Sequence, residues 1–226
     1  MPEVRIDLLI TCTSALSVGA GGSSGSLADK SIVRDGRGRP LLPGSQVKGK
    51  VRHTTEALLH QLGEPTPAHF DDEAKTYIKT LFGSPRQRSP LRFFDLIGLP
   101  AGEDRDDPLR QIDPQALVEI RPAVSINRRR GTAEDERLFF QEVALDGLVY
   151  GATPAIRGTL ADARLAALLW AALRLTTRWG GGSTRGFGWA EVVPTVWVEG
   201  TVREEEALEA DLRALLGKGD GDAAQA

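Results

Sequence analysis

A single cysteine, Cys12, stands among 226 residues. An internal disulfide is thereby excluded, and a reducing, cytoplasmic setting is expected. Three histidines, His53, His60 and His69, show no metal-ligand spacing with cysteine, so a zinc site is not expected. No apolar run approaches the roughly 20 residues that span a bilayer, and the first residues carry no signal-peptide pattern. Aromatic residues make up only 6% of the chain. The aromatic signature of a standard RNA-recognition module is missing, which argues against base stacking on a sheet surface. No internal repeat is evident. What remains is the composition of a globular protein, 41% hydrophobic and 26% charged.

The net charge of −3 hides a segregation. Seven acids against three bases follow Thr201, so residues 1–200 are close to neutral. Within them Arg34, Arg37, Arg39, Lys48, Lys50 and Arg52 form one basic segment, and Arg128, Arg129 and Arg130 another. "GEDRDD" at 102–107 is a separate acidic loop. Local basic surface on a neutral body suits a protein that holds nucleic acid inside a larger assembly, although solvated surface charge gives the same composition.

From Gly44 the chain reads G-x-x-x-x-G-K, the opening of a phosphate loop. Such a loop needs Ser or Thr after its lysine to hold Mg2+, and Val51 stands there. An NTPase is therefore disfavoured. Pro43-Gly44-Ser45 reads instead as a turn into a helix from about Gln46 to Leu62, with Ser45 as N-cap. Val47, Val51, Thr54, Leu58 and Leu62 recur at helical spacing. Lys48 and Arg52 then share one face, and Gly49 leaves room for a close approach to the backbone. A helix start with Ser45, Lys48, Lys50 and Arg52 suits phosphate contacts, such as those of an RNA backbone.

Around this helix, "EVRIDLLITC" alternates as a strand, and a long Gly- and Ser-rich loop follows it. "DDEAKTYIKTLFG" reads as a helix stopping at Gly83. Strand-like segments follow, and then a strong apolar helix, "ADARLAALLWAALRLTTRW". A glycine run, "GGGSTRGFG", leads into a last strand. In that run Ser183 and Arg185 are candidate phosphate ligands among glycines that permit close backbone approach. The order strand, helix, strands, helix, strand predicts an α+β, ferredoxin-like (RRM-like) domain. It occupies residues 1–200, with an acidic C-terminal helix and flexible tail over 201–226.

"ADKSIVRDGRGRPLLPGSQVKGKVR", "LFGS", "LRFFD", "RPAVSINRRRGTAEDERLFFQEV" and "GGGSTRGFGWAEV" occur in one order. With these blocks the chain resembles the RAMP superfamily, most closely the repeated backbone subunit of type III CRISPR effector complexes, over about residues 4–198. The resemblance implies a ferredoxin-like core with an inserted thumb hairpin, here about 124–145. It also implies copies of the chain stacked into a filament along a guide RNA, beside other effector subunits. In active members a loop aspartate drives metal-dependent cleavage, with a divalent cation such as Mg2+ as cofactor, of target RNA paired to the guide. That residue corresponds to Asp29, catalytic and metal-binding. Lys30-Ser31 stands where a small or polar residue and Pro are common. On its own chemistry Asp29 reads first as a turn residue, and only the resemblance turns the reading to catalysis. Lys30 beside it keeps a structural, non-cleaving RNA-binding subunit as the alternative. Arg128, Arg129 and Arg130 fall in the thumb as further RNA contacts. Leu138 and Phe139 are either its apolar wedge or core residues of a returning strand.

Overall fold

The computed structural model describes residues 1–20, 29–64, 76–104 and 112–217. The glycine-rich stretch 21–28, the start of the expected second helix (71–75), the second half of the acidic loop (105–107) and the tail from 218 lie outside them.

The strands are β1 (Glu3–Cys12), β2 (Leu41–Leu42), β3 (Leu91–Phe93), β4 (Leu96–Leu99), β5 (Val118–Asn127), β6 (Thr132–Ala144), β7 (Val149–Thr159), β8 (Ala190–Val198) and β9 (Thr201–Val202). The helices are α1 (Gly44–Gln61), α2 (Tyr77–Phe82), α3 (Leu165–Leu175) and α4 (Glu205–Leu215). The main sheet runs β2-β4-β7-β1-β8-β9 with antiparallel pairs throughout, and β3 also pairs with β7. The βαββαβ core is β1, α1, β4, β7, α3 and β8, with β1 and β7 at the centre, which is the ferredoxin-like arrangement.

Alternation in β1 decides which way the sheet faces. Val4, Ile6, Leu8, Ile10 and Cys12 are buried on the helix side, while Arg5, Asp7 and Leu9 lie on the open side. Burial pushes the Cys12 thiol up to about 12, which makes it an inert packing group. Helix α3 is buried continuously from Leu165 to Leu173. A helix apolar all round needs cover on more than one side, and α1, β8 and α4 all pack against it. The C-terminal helix therefore docks on its own domain through Leu208, and the Tyr77 hydroxyl donates to the Leu215 carbonyl at 3.0 Å. No helix among the described residues is long and apolar enough to cross a membrane.

Two local expectations need correction. Helix α1 starts at Gly44, so Ser45 lies inside the first turn and is not its cap. The Gly44 N–H donates to Asp95 Oδ1 at 2.8 Å instead. A Cβ at Gly44 would stand 2.3 Å from the Phe93 carbonyl oxygen, so the helix start is pressed onto β3 too closely for another residue. The buried face of α1 is Gly44, Val47, Val51, Thr55 and Leu59, not one through Thr54, Leu58 and Leu62. The Thr55 hydroxyl tolerates burial because it donates to the Val51 carbonyl at 2.7 Å. Gly83 ends α2 with φ 77°, and Asp35 is structural: its carboxylate accepts from the Arg37 and Arg39 N–H groups and pairs with the Arg39 side chain.

Strands β5 and β6 form a separate two-stranded hairpin between β4 and β7, starting at Val118. Leu138, at 61% exposure, and Phe140 do not pack the core. Among the described residues of β6 the buried ones are those of its root, Gln141 to Ala144.

Candidate nucleic-acid interface

Three segments converge beyond the end of β1. The chain from Thr13 to Ala20 is stitched to the glycine run and to β6. Thr13 N–H donates to the Trp189 carbonyl, Gly188 N–H to Ala15, Gly181 N–H to Ser17 at 2.7 Å, and Leu16 exchanges both bonds with Ala144. At Gly180 and Gly188 the backbone has φ of 66° and 78°. A Cβ there would stand 2.5 Å from the Ser17 carbonyl oxygen and 1.9 Å from that of Trp179, so the run is glycine-rich partly to let these backbones meet. The third segment, Asp29 to Arg34, returns along β6. Asp29 N–H donates to the Phe140 carbonyl, and Glu142 N–H donates to that of Lys30.

Between them lies a cleft of about 660 Å3, lined among others by Ser17, Asp29, Lys30, Gln141, Gly182 and Arg185. Asp29 is exposed, and its Oδ2 accepts the Phe140 N–H at 2.8 Å. Its Oδ1 has no partner among the described residues. Lys30 Nζ and the Arg185 guanidinium carbon lie 4.9 and 5.3 Å from the centre of the Phe139 ring, so one aromatic gathers two cations at the lip of the cleft. Beneath them Glu142 accepts from Ile32 N–H at 3.0 Å and from Arg34 Nη2 at 2.6 Å. Gln141 Nε2 donates to Ser17 Oγ at 2.6 Å. The wall is thus fixed, with two cations and one carboxylate facing solvent. That set suits a phosphodiester.

The donor set also limits the metal. Among the described residues no three His, Cys, Asp or Glu side chains group as ligands. The described residues thus offer no closed protein cage, but Mg2+ keeps several waters and takes one or two carboxylates plus substrate phosphates. Asp29 fits that role.

Asp29 and Arg185 share the cleft, whereas Ser183 is half-buried beside it and does not line it. Ser45, Lys48, Lys50 and Arg52 lie on α1, away from the lining. Arg52 Nε pairs with Glu56 at 2.8 Å. Burial and then the Arg52 charge lower the pKa of Lys48. Gly49 is exposed, with nothing within 4 Å of a Cβ added there. Gly49→Ala is expected to raise stability by about 1 kcal/mol in urea unfolding. A fall in RNA affinity alongside it would mark α1 as a close-approach surface. Arg128, Arg129 and Arg130 form the exposed tip of the β5–β6 hairpin, where Asn127 Oδ1 accepts the N–H groups of Arg129 and Arg130. Sequence reasoning missed Ser17, Gln141 and the gathering role of Phe139. The polar pair Gln141-Glu142 inside an otherwise apolar strand end was the available signal.

The likeness to known proteins agrees with this geometry. The family model of the RAMP superfamily matches residues 9–191. The CRISPR system Cms endoribonuclease Csm3 of Mycobacterium tuberculosis (strain ATCC 25618 / H37Rv) is 29% identical over 131 residues, 56% of this chain and 53% of that protein. The chain thus spans about half the length of this curated relative. A chain in the cryo-EM structure of the Type III-B Cmr-beta bound to cognate target RNA superposes with a TM-score of 0.60 at 14% identity, over 87% of this chain and 61% of that one. At that identity the likeness speaks to fold. With its ferredoxin-like sheet, inserted hairpin and family match over most of its length, the chain belongs to the RAMP superfamily.

Proposed function

We propose that this chain is a backbone subunit of a type III CRISPR effector that holds guide RNA and cuts target RNA paired to it. One observation carries the reading: Asp29 is held at the mouth of a cleft whose lip carries Lys30 and Arg185. The cations and the glycine backbone draw the RNA phosphates in, so sequence is read by pairing with the guide rather than by the protein. Further phosphate contacts fall to α1 through Ser45, Lys48, Lys50 and Arg52, to Ser183, and to the hairpin tip at Arg128, Arg129 and Arg130. Copies of the chain and other effector subunits extend the surface, because one subunit is too small for a whole guide. The β5–β6 hairpin is the thumb.

In the cleavage step a ribose 2′-oxygen attacks the adjacent phosphorus, the bond to the 5′-oxygen breaks, and the 2′-hydroxyl proton leaves to a base. In this reading Asp29 takes that proton through Oδ1, while Oδ2 stays tied to β6. Asp29 would hold a divalent cation such as Mg2+ together with substrate phosphates, and that ion would supply stabilisation of charge developing on the leaving oxygen. Arg185 and Lys30 orient the phosphate. The alternative, a non-cleaving structural subunit, has one observation in its favour: Oδ2 bonded to a backbone N–H is what a purely structural aspartate does. The test is incubation of the guide-loaded complex with labelled complementary RNA in Mg2+ and in EDTA. Regularly spaced, Mg2+-dependent cuts support the nuclease. Tight binding with no cuts in either condition supports the scaffold.

A further inference from the structure

We propose that the exposed Arg178–Trp189 pair is a stacking platform for one unpaired base of the bound RNA. This rests on the RNA-binding reading above and extends it to a site outside the cleft. The Arg178 guanidinium carbon lies 3.8 Å from the centre of the Trp189 ring, and the tryptophan is 41% exposed. Two other Arg–Trp pairs serve as internal comparisons. Arg5 over Trp197 is neutralised by Asp7, which also accepts the Trp197 indole N–H. Arg174 over the buried Trp170 is neutralised by Glu205. Arg178 has no acidic partner among the described residues, and its pair is the closest of the three. A flat aromatic surface with an uncompensated positive charge matches a nucleobase attached to an anionic backbone.

The platform is rigid before any ligand arrives. Arg178 and Trp189 pair across the base of the glycine run, and the backbone N–H of buried Trp179 donates to the Gly188 carbonyl at 2.8 Å between them. Trp189 N–H donates to Ser14 Oγ at 2.9 Å, and Thr13 N–H donates to the Trp189 carbonyl at 2.8 Å. The platform is also continuous with the cleft. Ser14 touches Trp189 and Ser17 lines the cleft, three residues further on, a reach of at most about 10 Å. That is roughly three stacked nucleotides at ~3.4 Å each. A strand whose phosphates sit by Arg185 therefore has a base within reach of Trp189.

The test is an anisotropy titration of the full chain with a short single-stranded RNA, and with versions carrying one abasic nucleotide at each position in turn. Trp189→Ala is expected to weaken binding of the intact RNA about 5- to 150-fold, the range of one base–aromatic stack. Trp189→Phe is expected to restore most of it. In the wild type one abasic position is expected to show a comparable loss, and Trp189→Ala to add nothing at that position. Matching circular dichroism shows that the variant folds, and the abasic series on wild type reads the platform without any variant. Unchanged affinity in Trp189→Ala, or an abasic series with no sensitive position, overturns the platform while RNA binding itself stands. A wild-type chain that binds no RNA overturns the RNA reading and the platform with it.

Discussion

Asp29→Ala is expected to lower target cleavage about 10²- to 10⁴-fold, the usual contribution of a positioned acid–base group, with guide and target binding nearly unchanged. The reason lies in the division of labour in the cleft. Binding depends on cations and glycine backbones that the substitution leaves in place, whereas the reacting hydroxyl and any cation need the carboxylate. Asp29→Asn separates charge from position. Its amide oxygen still accepts the Phe140 N–H that Oδ2 accepts at 2.8 Å, so the loop keeps its place while the charge is gone. Cleavage is expected to fall as far as in the alanine variant. Retained cleavage in Asp29→Asn would make the residue a holder of the loop and nothing more.

Glu142→Ala is expected to destabilise the fold by about 3 kcal/mol, the low end for breaking a buried ion pair. The Arg34 and Glu142 side chains are 20% and 9% exposed, so Arg34 would lose its acidic partner, keeping only its bond to the Gly38 carbonyl, in a site that water reaches poorly. The Ile32 N–H would lose its acceptor as well. Because that pair pins the Asp29–Arg34 segment to β6, cleavage is expected to fall together with stability. Glu142→Gln keeps an acceptor for Ile32 N–H and is expected to recover part of the loss. Urea unfolding of the three proteins reads this directly. A loss below 1 kcal/mol in Glu142→Ala would show that the segment is held by its backbone bonds alone.

The sequence carried the core more plainly than the site. The alternation from Val4 to Cys12 and the apolar run of α3 are local signals, and both elements lie where that periodicity places them. The start of α1 was misread because Ser45 resembles a cap, while the actual partner of the Gly44 N–H, Asp95, lies 51 residues away. The face of α1 was misjudged by one position from Thr54 on, because a threonine can be buried once its hydroxyl bonds the preceding turn. Of the cleft residues, Asp29 was singled out through the resemblance and Arg185 from the glycine run itself. The contacts that fix the wall were not: Gln141 to Ser17 and Lys30 and Arg185 over Phe139 join residues more than 40 positions apart. The same holds for Trp189. Only the pairing of two loop strands brings Arg178 over its ring.

The central claim is that RNA follows the track from Trp189 through the cleft to Asp29, rather than the open face of the sheet. Photo-crosslinking tests it most directly, using the guide-loaded complex with 4-thiouridine placed along guide and target and the crosslinked peptides mapped. The account predicts crosslinks in 13–20, 29–34, 137–142 and 178–189. Crosslinks confined to the open face of β1, β7 and β8, around Arg5, Arg157 and Trp197, would contradict it.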